Sequence, residues 1–122
     1  MIRPTLALAI ALNHATRQDD EWFEEPDDLE RVQRALDAVS QIDDPVTAAA
    51  VVAYRVARAQ GFGEGNKRTA FLLAKWTLDR NGLDGSGILP SEDRAVADLL
   101  VKAAAGQDVQ DDLVGLLDSR HA

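Results

Sequence analysis

The residues best suited to chemistry lie in one short stretch, Gln60 to Thr69, which reads Gln-Gly-Phe-Gly-Glu-Gly-Asn-Lys-Arg-Thr. Its closely spaced glycines allow the backbone to approach a ligand. A helix capped by Asn66 is predicted to follow, and the unpaired first N–H groups of a helix favour anions. Cations usually stabilise the opposite end of a helix, so charges at this end indicate function. The stretch therefore predicts a phosphate site made by Gly63, Gly65, Asn66, Lys67 and Arg68.

Glu64 is the acidic residue of this loop, and its carboxylate could hold a Mg²⁺ ion that bridges nucleotide phosphates. The alternative is a tight connection between helices, with Lys67 and Arg68 as solvated charges and Glu64 as their ion partner. A Walker A loop is excluded, because that pattern needs lysine directly after its second glycine and Asn66 intervenes here.

The elements around the loop are predicted to be helical. The first helix follows Pro4 and reaches about Ala15, and the second starts near Asp27 with helical spacing of its apolar residues. Asp44-Pro45 predicts the start of a third helix that runs through Ala59, since aspartate caps and proline fits the first helical position. Arg55 and Arg58 on this helix would either extend the positive site or form a solvated face.

The fourth helix is predicted to end at Asn81-Gly82. Ser91 is expected to cap a fifth helix that reaches Ala105, and an amphipathic piece carries Val109 to Leu117. Between predicted helices, Arg17 to Asp28 reads as a loop pinned by Trp22 and Phe23, and Asp84 to Leu89 could hold a β-bridge. We therefore expect residues 1–122 to form a single all-α domain, a compact bundle of about six helices.

Composition excludes several classes of function. Without cysteine, the 122-residue chain has neither a disulfide scaffold nor a thiol nucleophile nor a zinc-thiolate site. The net charge of −8 argues against broad nucleic-acid binding. Residues 51–82 nevertheless carry six basic side chains against two acidic ones, so an anionic ligand is expected there. The longest apolar run, Leu6 to Leu12, is too short to span a bilayer, and we expect a cytoplasmic protein.

Phe62 to Ala70 resembles the core of the Fic/Doc motif, H-x-F-x-[DE]-[GA]-N-[GK]-R, and Lys67 is the form found in the Doc (death-on-curing) branch. Further similarity at Leu78–Gly82, Ala97–Leu99 and Ala103–Gly106 extends the resemblance over most of the chain. It implies a Fic/Doc-like fold that binds ATP with Mg²⁺. Fic enzymes typically transfer AMP to a hydroxyl side chain of a target protein, whereas Doc toxins transfer the terminal phosphate of ATP to a translation elongation factor.

Carried over by position, the resemblance assigns Phe62 to anchoring the loop in the core and Glu64 to positioning Mg²⁺. Gly65 and Asn66 match the start of the anion-binding helix, Arg68 matches the phosphate-gripping arginine, and Lys67 matches the Doc-type lysine. The inhibitory [ST]-x-x-x-E-[GN] motif of many Fic proteins is missing, which implies inhibition by an antitoxin protein in trans.

Gln60 departs from the family at the position of its general-base histidine. Glutamine has no group that titrates near neutral pH, and loss of a general base typically costs about 10²–10⁴-fold in rate. Neither His14 nor His121 is expected to replace it. The change is either engineered, or natural in a pseudoenzyme that binds nucleotide or a partner, or compatible with slow chemistry on a nucleophile that needs no base. The alternative function is a protein-binding module without catalysis.

Overall fold

The computed structural model describes residues 1–17 and 26–121, and these residues form seven α-helices without any β-strand. The helices are α1 (Leu6–Thr16), α2 (Leu29–Asp37), α3 (Pro45–Ala59), α4 (Asn66–Arg80), α5 (Gly85–Ile88), α6 (Arg94–Ala104) and α7 (Gln110–His121). The all-α prediction is confirmed. The element beyond the expected six is α5, a single turn.

Helix α3 is the centre of the bundle and packs against α2, α4, α6 and α7. Asp44 caps it and Pro45 stands in its first turn, as predicted from the sequence. Its buried side chains are mainly alanine and valine, and such small side chains let the neighbouring helix axes approach closely. This helix therefore fixes where its C-terminal end, and the loop that follows, lie in the molecule.

Helix α4 is the main partner of α3 and also contacts α1, α5 and α6. Leu73, Ala74 and Leu78 lie on its buried side together with the hydroxyl groups of Thr69 and Thr77. Thr77 is satisfied inside the core by donating to the Leu73 carbonyl at 2.7 Å. The loop between α3 and α4 is thus held at both ends by the two most closely packed helices of the bundle.

One open possibility is not realised, and one local prediction was wrong. Residues 85–88 form the short helix α5 instead of a β-bridge, because the Asp84 carboxylate accepts from the Gly87 N–H and caps a helical turn. Helix α6 is capped by Asp93 and not by Ser91, since the Asp93 side chain accepts from the Val96 N–H at 3.2 Å. Ser91 and Asp93 are both suitable residue types for an N-cap. Asp93 caps α6 because its carboxylate reaches a backbone N–H of the first turn.

Asp93 also joins the last helix to the bundle. Its carboxylate, 4% exposed, forms an ion pair with Arg120 of α7, and Arg120 Nη1 donates further to the Ile88 carbonyl at 3.0 Å. These bonds lower the pKa of Asp93: the hydrogen bond from Arg120 is the largest cause and outweighs the opposing effect of burial. One carboxylate therefore starts α6 and fastens α7.

The expected contacts of Trp22 and Phe23 lie outside the described residues. Among the helices of residues 1–17 and 26–121, none is both long and apolar enough to cross a membrane.

Candidate functional site

The loop begins where α3 ends, at Gln60, which adopts a left-handed backbone conformation with φ of 52°. Its exposed side chain turns back on the helix, and Nε2 donates to the Ala57 carbonyl at 2.7 Å. The next residue, Gly61, accepts from the Asp28 N–H at 2.6 Å. A Cβ at Gly61 would lie 2.6 Å from a Val32 methyl, so glycine is required for α2 to approach this closely. Gln60 therefore caps the C-terminal end of α3, and its side chain bonds to that helix.

Asn66 closes the loop on itself. Its Oδ1 accepts from the Phe62 N–H at 3.0 Å, and its Nδ2 donates to the Phe62 carbonyl at 2.9 Å. Both Asn66 and Phe62 are buried, so this side chain satisfies two backbone groups that water cannot reach. The prediction that Asn66 caps α4 was wrong: it is the first residue of the helix, and its side chain bonds backward to the loop.

Asn13 supports the loop from behind and was missed by the sequence analysis. Although it lies in the apolar helix α1, it is fully buried. Its Nδ2 donates to the Glu64 carbonyl at 2.8 Å and to Thr69 Oγ1 at 3.2 Å. Its Oδ1 accepts from Arg17 Nε at 2.7 Å. The sequence signal for this role was a polar residue that directly follows the apolar run Leu6–Leu12.

Asp27 holds the loop from the side of α2. Its Oδ1 accepts from the Gly63 N–H at 2.8 Å and from Arg17 Nη2 at 2.6 Å. Burial raises the pKa of Asp27, but the hydrogen bonds from Gly63 and Arg17 and the charge of Arg17 together lower it below its ordinary value of 3.8. Near neutral pH the carboxylate is therefore ionised and fixes the Gly63 backbone.

Helices α1, α2, α3, α5 and α6 each begin with a capping side chain, whereas no side chain of the described residues caps the start of α4. Gly65 precedes the helix in the left-handed region with φ of 74°. A Cβ there would lie 2.9 Å from Thr16 Oγ1. In residues 1–17 and 26–121, the backbone N–H groups of Lys67 and Arg68 have no hydrogen-bond acceptor. Their side chains are exposed and have no ion pair in this part of the chain.

These groups open into a cleft of about 750 Å³ between α4 and α6. One wall consists of Gly65 to Arg68 with Phe71 on the next turn. The opposite wall is formed by the turn before α6 and by the side of α6 facing the cleft: Ser91, Glu92, Asp93, Arg94, Ala97, Asp98, Leu100 and Val101. A cleft of this size suits a small ligand, and it combines cationic, apolar and acidic surface.

The predicted site residues divide into two groups. Gly65, Asn66, Lys67 and Arg68 line the cleft, whereas Gln60, Gly63 and Glu64 do not. The opposite wall, Arg94 and Asp98 above all, was missed by the sequence analysis, because its proximity depends on how α6 packs on α4. Arg55 and Arg58 do not extend this site either. They line a separate cleft between α2 and α3.

Glu64 has one carboxylate oxygen in an unusual position. Oε1 is buried and has no hydrogen-bond partner within the described part of the chain. A buried carboxylate oxygen without a donor is costly, and a cation would satisfy it. No group of three or more histidine, aspartate or glutamate side chains in the described ranges could hold a metal ion alone. The donor set therefore fits Mg²⁺ only if phosphate oxygens complete its coordination, which is its common mode.

Comparison with models of protein families identifies a match for this chain. The model of the Fic/DOC family matches residues 6–78, which is more than half of the chain. The matched region contains the loop and nearly all of α4, and it ends before the α6 wall of the cleft. Comparison with curated proteins finds no significant match.

Proposed function

Because this chain belongs to the Fic/DOC family, we propose that it binds the triphosphate of ATP in the cleft between α4 and α6. We further propose that it is a Doc-like toxin of a toxin–antitoxin pair, descended from enzymes that transfer phosphate or AMP to a protein hydroxyl. Its target would be a protein such as a translation elongation factor, and its antitoxin would act in trans. Transfer by this chain is impaired, because Gln60 stands where the family has a histidine.

The observation that carries nucleotide binding is the uncapped, cationic start of α4. The backbone N–H groups of Lys67 and Arg68 have no acceptor among the described residues, and the helix dipole adds partial positive charge at the same end. Arg68 can donate two parallel hydrogen bonds to phosphate oxygens, and Lys67 supplies a compact charge. Phe71 on the next turn gives the cleft an aromatic wall, on which a base can pack.

Glu64 does not line the cleft, but it directly precedes Gly65, which does, and it would hold Mg²⁺ at the edge of the phosphate site through the oxygen that lacks a donor. When bound, Mg²⁺ neutralises charge on the phosphate oxygens during transfer. The contribution of the chain itself is to orient this carboxylate. It does so through the bond from Asn13 to the Glu64 carbonyl, which fixes the backbone at that position.

Nucleotide binding is tested by calorimetry with Mg²⁺ and ATP on the full chain. Lys67→Ala with Arg68→Ala is expected to weaken binding at least about 100-fold, because each charged hydrogen bond is worth roughly 1.5–3 kcal/mol. The matched control is Arg80→Ala with Lys102→Ala, which removes two exposed cations outside the cleft. Equal affinity in both double variants contradicts the proposal.

The impaired chemistry is tested by Gln60→His, with Gln60→Asn as the control without a titratable group. Histidine is expected to raise the transfer rate by about 10²–10⁴-fold, the usual contribution of a general base. ATP labelled at the γ-phosphate or at the α-phosphate, incubated with an elongation factor and with whole lysate, separates phosphate transfer from AMP transfer. If the Gln60→His variant transfers label from neither the γ-phosphate nor the α-phosphate to any protein, the proposed descent from transferases is contradicted.

A second candidate is a pseudoenzyme that binds nucleotide or an antitoxin partner without catalysis. The Gln60 amide favours it, because Nε2 is engaged by the Ala57 carbonyl and the residue does not line the cleft. ATP binding that persists in Gln60→His, with no gain in transfer, would support this candidate over the first.

A further inference from the structure

A second cleft, of about 450 Å³, lies between α2 and α3, and four of the six described residues that line it are arginines. Two arginines on α2 and two on α3 form its sides, while two alanines leave room at its floor: Arg31, Arg34, Ala35, Arg55, Arg58 and Ala59. Among residues 1–17 and 26–121, no carboxylate belongs to this lining. Four guanidinium groups around one cleft are unexpected in a chain with a net charge of −8.

Two of the four arginines are held in place by the protein. Arg58 Nη1 donates to the Gly106 carbonyl at 2.7 Å, and the guanidinium lies 6.0 Å from the centre of the Tyr54 ring. Arg31 pairs with Asp28 at 3.3 Å, an exposed contact within one turn. These contacts use only some of the five N–H donors that each guanidinium carries.

The other two, Arg34 and Arg55, have neither an ion pair nor a side-chain hydrogen bond to any residue of 1–17 or 26–121. Both are exposed. Like charges three residues apart on a helix repel each other, and here two such pairs also face one another across the cleft. Within the described residues this repulsion is not balanced by a carboxylate in the cleft, and such a local conflict indicates a place for an anionic ligand.

We propose that this arginine cleft is a second anion site, which binds a compact polyphosphate independently of the loop before α4. Guanidinium groups bind phosphate oxygens through paired hydrogen bonds, and the cleft offers such donors from both sides. In the part of the chain that the structure describes, the apolar lining consists of two alanine side chains, so the aliphatic parts of an acidic peptide would find little counterpart. A long nucleic acid is disfavoured, because the rest of the molecule is strongly anionic.

The test uses the Lys67→Ala, Arg68→Ala variant as its background, so that the loop contributes no phosphate binding. Tripolyphosphate is titrated into this protein by calorimetry, and one site is expected. Adding Arg34→Ala and Arg55→Ala should lower its affinity at least about tenfold, because charged hydrogen bonds are lost. Adding Arg80→Ala and Lys102→Ala instead should leave the affinity unchanged, which separates a specific site from general attraction.

Thermal unfolding supplies a readout that a merely structural role would not give. Tripolyphosphate should raise the melting temperature of the background protein, since a ligand that binds only the folded state stabilises it. Without ligand, Arg34→Ala with Arg55→Ala should leave the melting temperature unchanged or raise it, because repulsion is relieved. A lower melting temperature of the free variant would overturn the proposal, as it would show that these arginines stabilise the fold.

Two further ligands complete the test. ATP that binds the background protein as well as tripolyphosphate does would identify a nucleotide as the source of the phosphates. Tripolyphosphate binding without ATP binding would identify inorganic polyphosphate, and either result supports the site. A hexaglutamate peptide that binds more tightly than tripolyphosphate would overturn the proposal in favour of an acidic protein segment. Unaltered tripolyphosphate affinity after Arg34→Ala and Arg55→Ala would overturn it as well.

Discussion

Helices α3 and α4 form the centre of the bundle side by side, yet they begin in opposite ways. At α3, the Asp44 carboxylate accepts from the Thr47 N–H at 3.0 Å and from the Thr47 hydroxyl at 2.6 Å. At α4, Gly65 offers no side chain, and two cationic residues follow. A capped start is stable but has no donors left for a ligand, whereas an uncapped start keeps its donors and needs support from elsewhere. In this protein, Asn13 and Asn66 provide that support.

Among the variants that test this comparison, Asn66→Ala is expected to lower the unfolding free energy most. The change removes both bonds to Phe62 and leaves a buried N–H and a buried carbonyl without partners, which should cost about 2–4 kcal/mol of unfolding free energy. Urea denaturation measures the loss. Asn81→Ala is the control: its two bonds to Ile2 are exposed and its bond to the Thr77 carbonyl is only partly buried, so water can replace them more readily. Equal losses in the two variants would show that Asn66 is no special support of the loop.

Gly65→Ala should have the next largest effect and lower the unfolding free energy by about 1–3 kcal/mol. The reason is that a residue with a side chain is strained in the left-handed region. Its Cβ would also press against Thr16 Oγ1. Gly82→Ala separates the two causes: its φ is 81°, but nothing lies within 4 Å of its added Cβ. Thermal unfolding should therefore show a greater loss for Gly65→Ala than for Gly82→Ala, and the reverse order would contradict the close approach.

A smaller effect is expected from Asp44→Ala, which removes the cap of α3 and should cost about 1 kcal/mol. The affinity for ATP measured by calorimetry should stay the same, because this helix start lies outside the cleft. If Asp44→Ala weakened ATP binding as strongly as Lys67→Ala with Arg68→Ala, the distinction between a structural and a ligand-binding helix start would fail.

The smallest effect concerns pH. The pKa of Asp44 lies below 3.8, chiefly through hydrogen bonds from Thr47, and the pKa of Asp27 is also lowered. A carboxyl with a lowered pKa contributes stability that is fully present above its unfolded value and is lost as the pH falls through its folded value. Unfolding free energy should therefore decline below about pH 4. Asp27→Asn should make that decline shallower than in the unaltered chain, and an unchanged slope would contradict this role of Asp27.

The sequence predicts the long helices well, because their signals are local. Asp44-Pro45 and Asn81-Gly82 mark helix ends through contacts within one turn. The error at Asn66 has a tertiary cause: its side chain bonds back to Phe62 only because Phe62 is packed in the core. At Asp93, similarly, the ion pair with Arg120 of α7 adds to the local cap.

Of the two walls of the cleft, only the one formed by the loop and the start of α4 was predictable from the sequence. Gly65 to Arg68 are contiguous, so their residue types alone indicate an anion site. Arg94 and Asp98 lie far along the chain and reach the cleft only through the packing of α6 against α4. Asn13 reaches the loop from α1 over a separation of 51 residues. The arginine cleft likewise depends on two helices meeting, although Arg55 and Arg58 already stood out in the sequence.

The bonds that give the loop its shape come from Asn13, Asp27 and Asn66. Within the described residues, the side chain of Gln60 forms its hydrogen bond to the end of its own helix instead. Under the proposed function, architecture and reactivity are encoded by different residues: a change at position 60 would alter the chemistry, while the bonds that shape the loop stay as they are. The loss of an activity, and its recovery, would then be a matter of one codon.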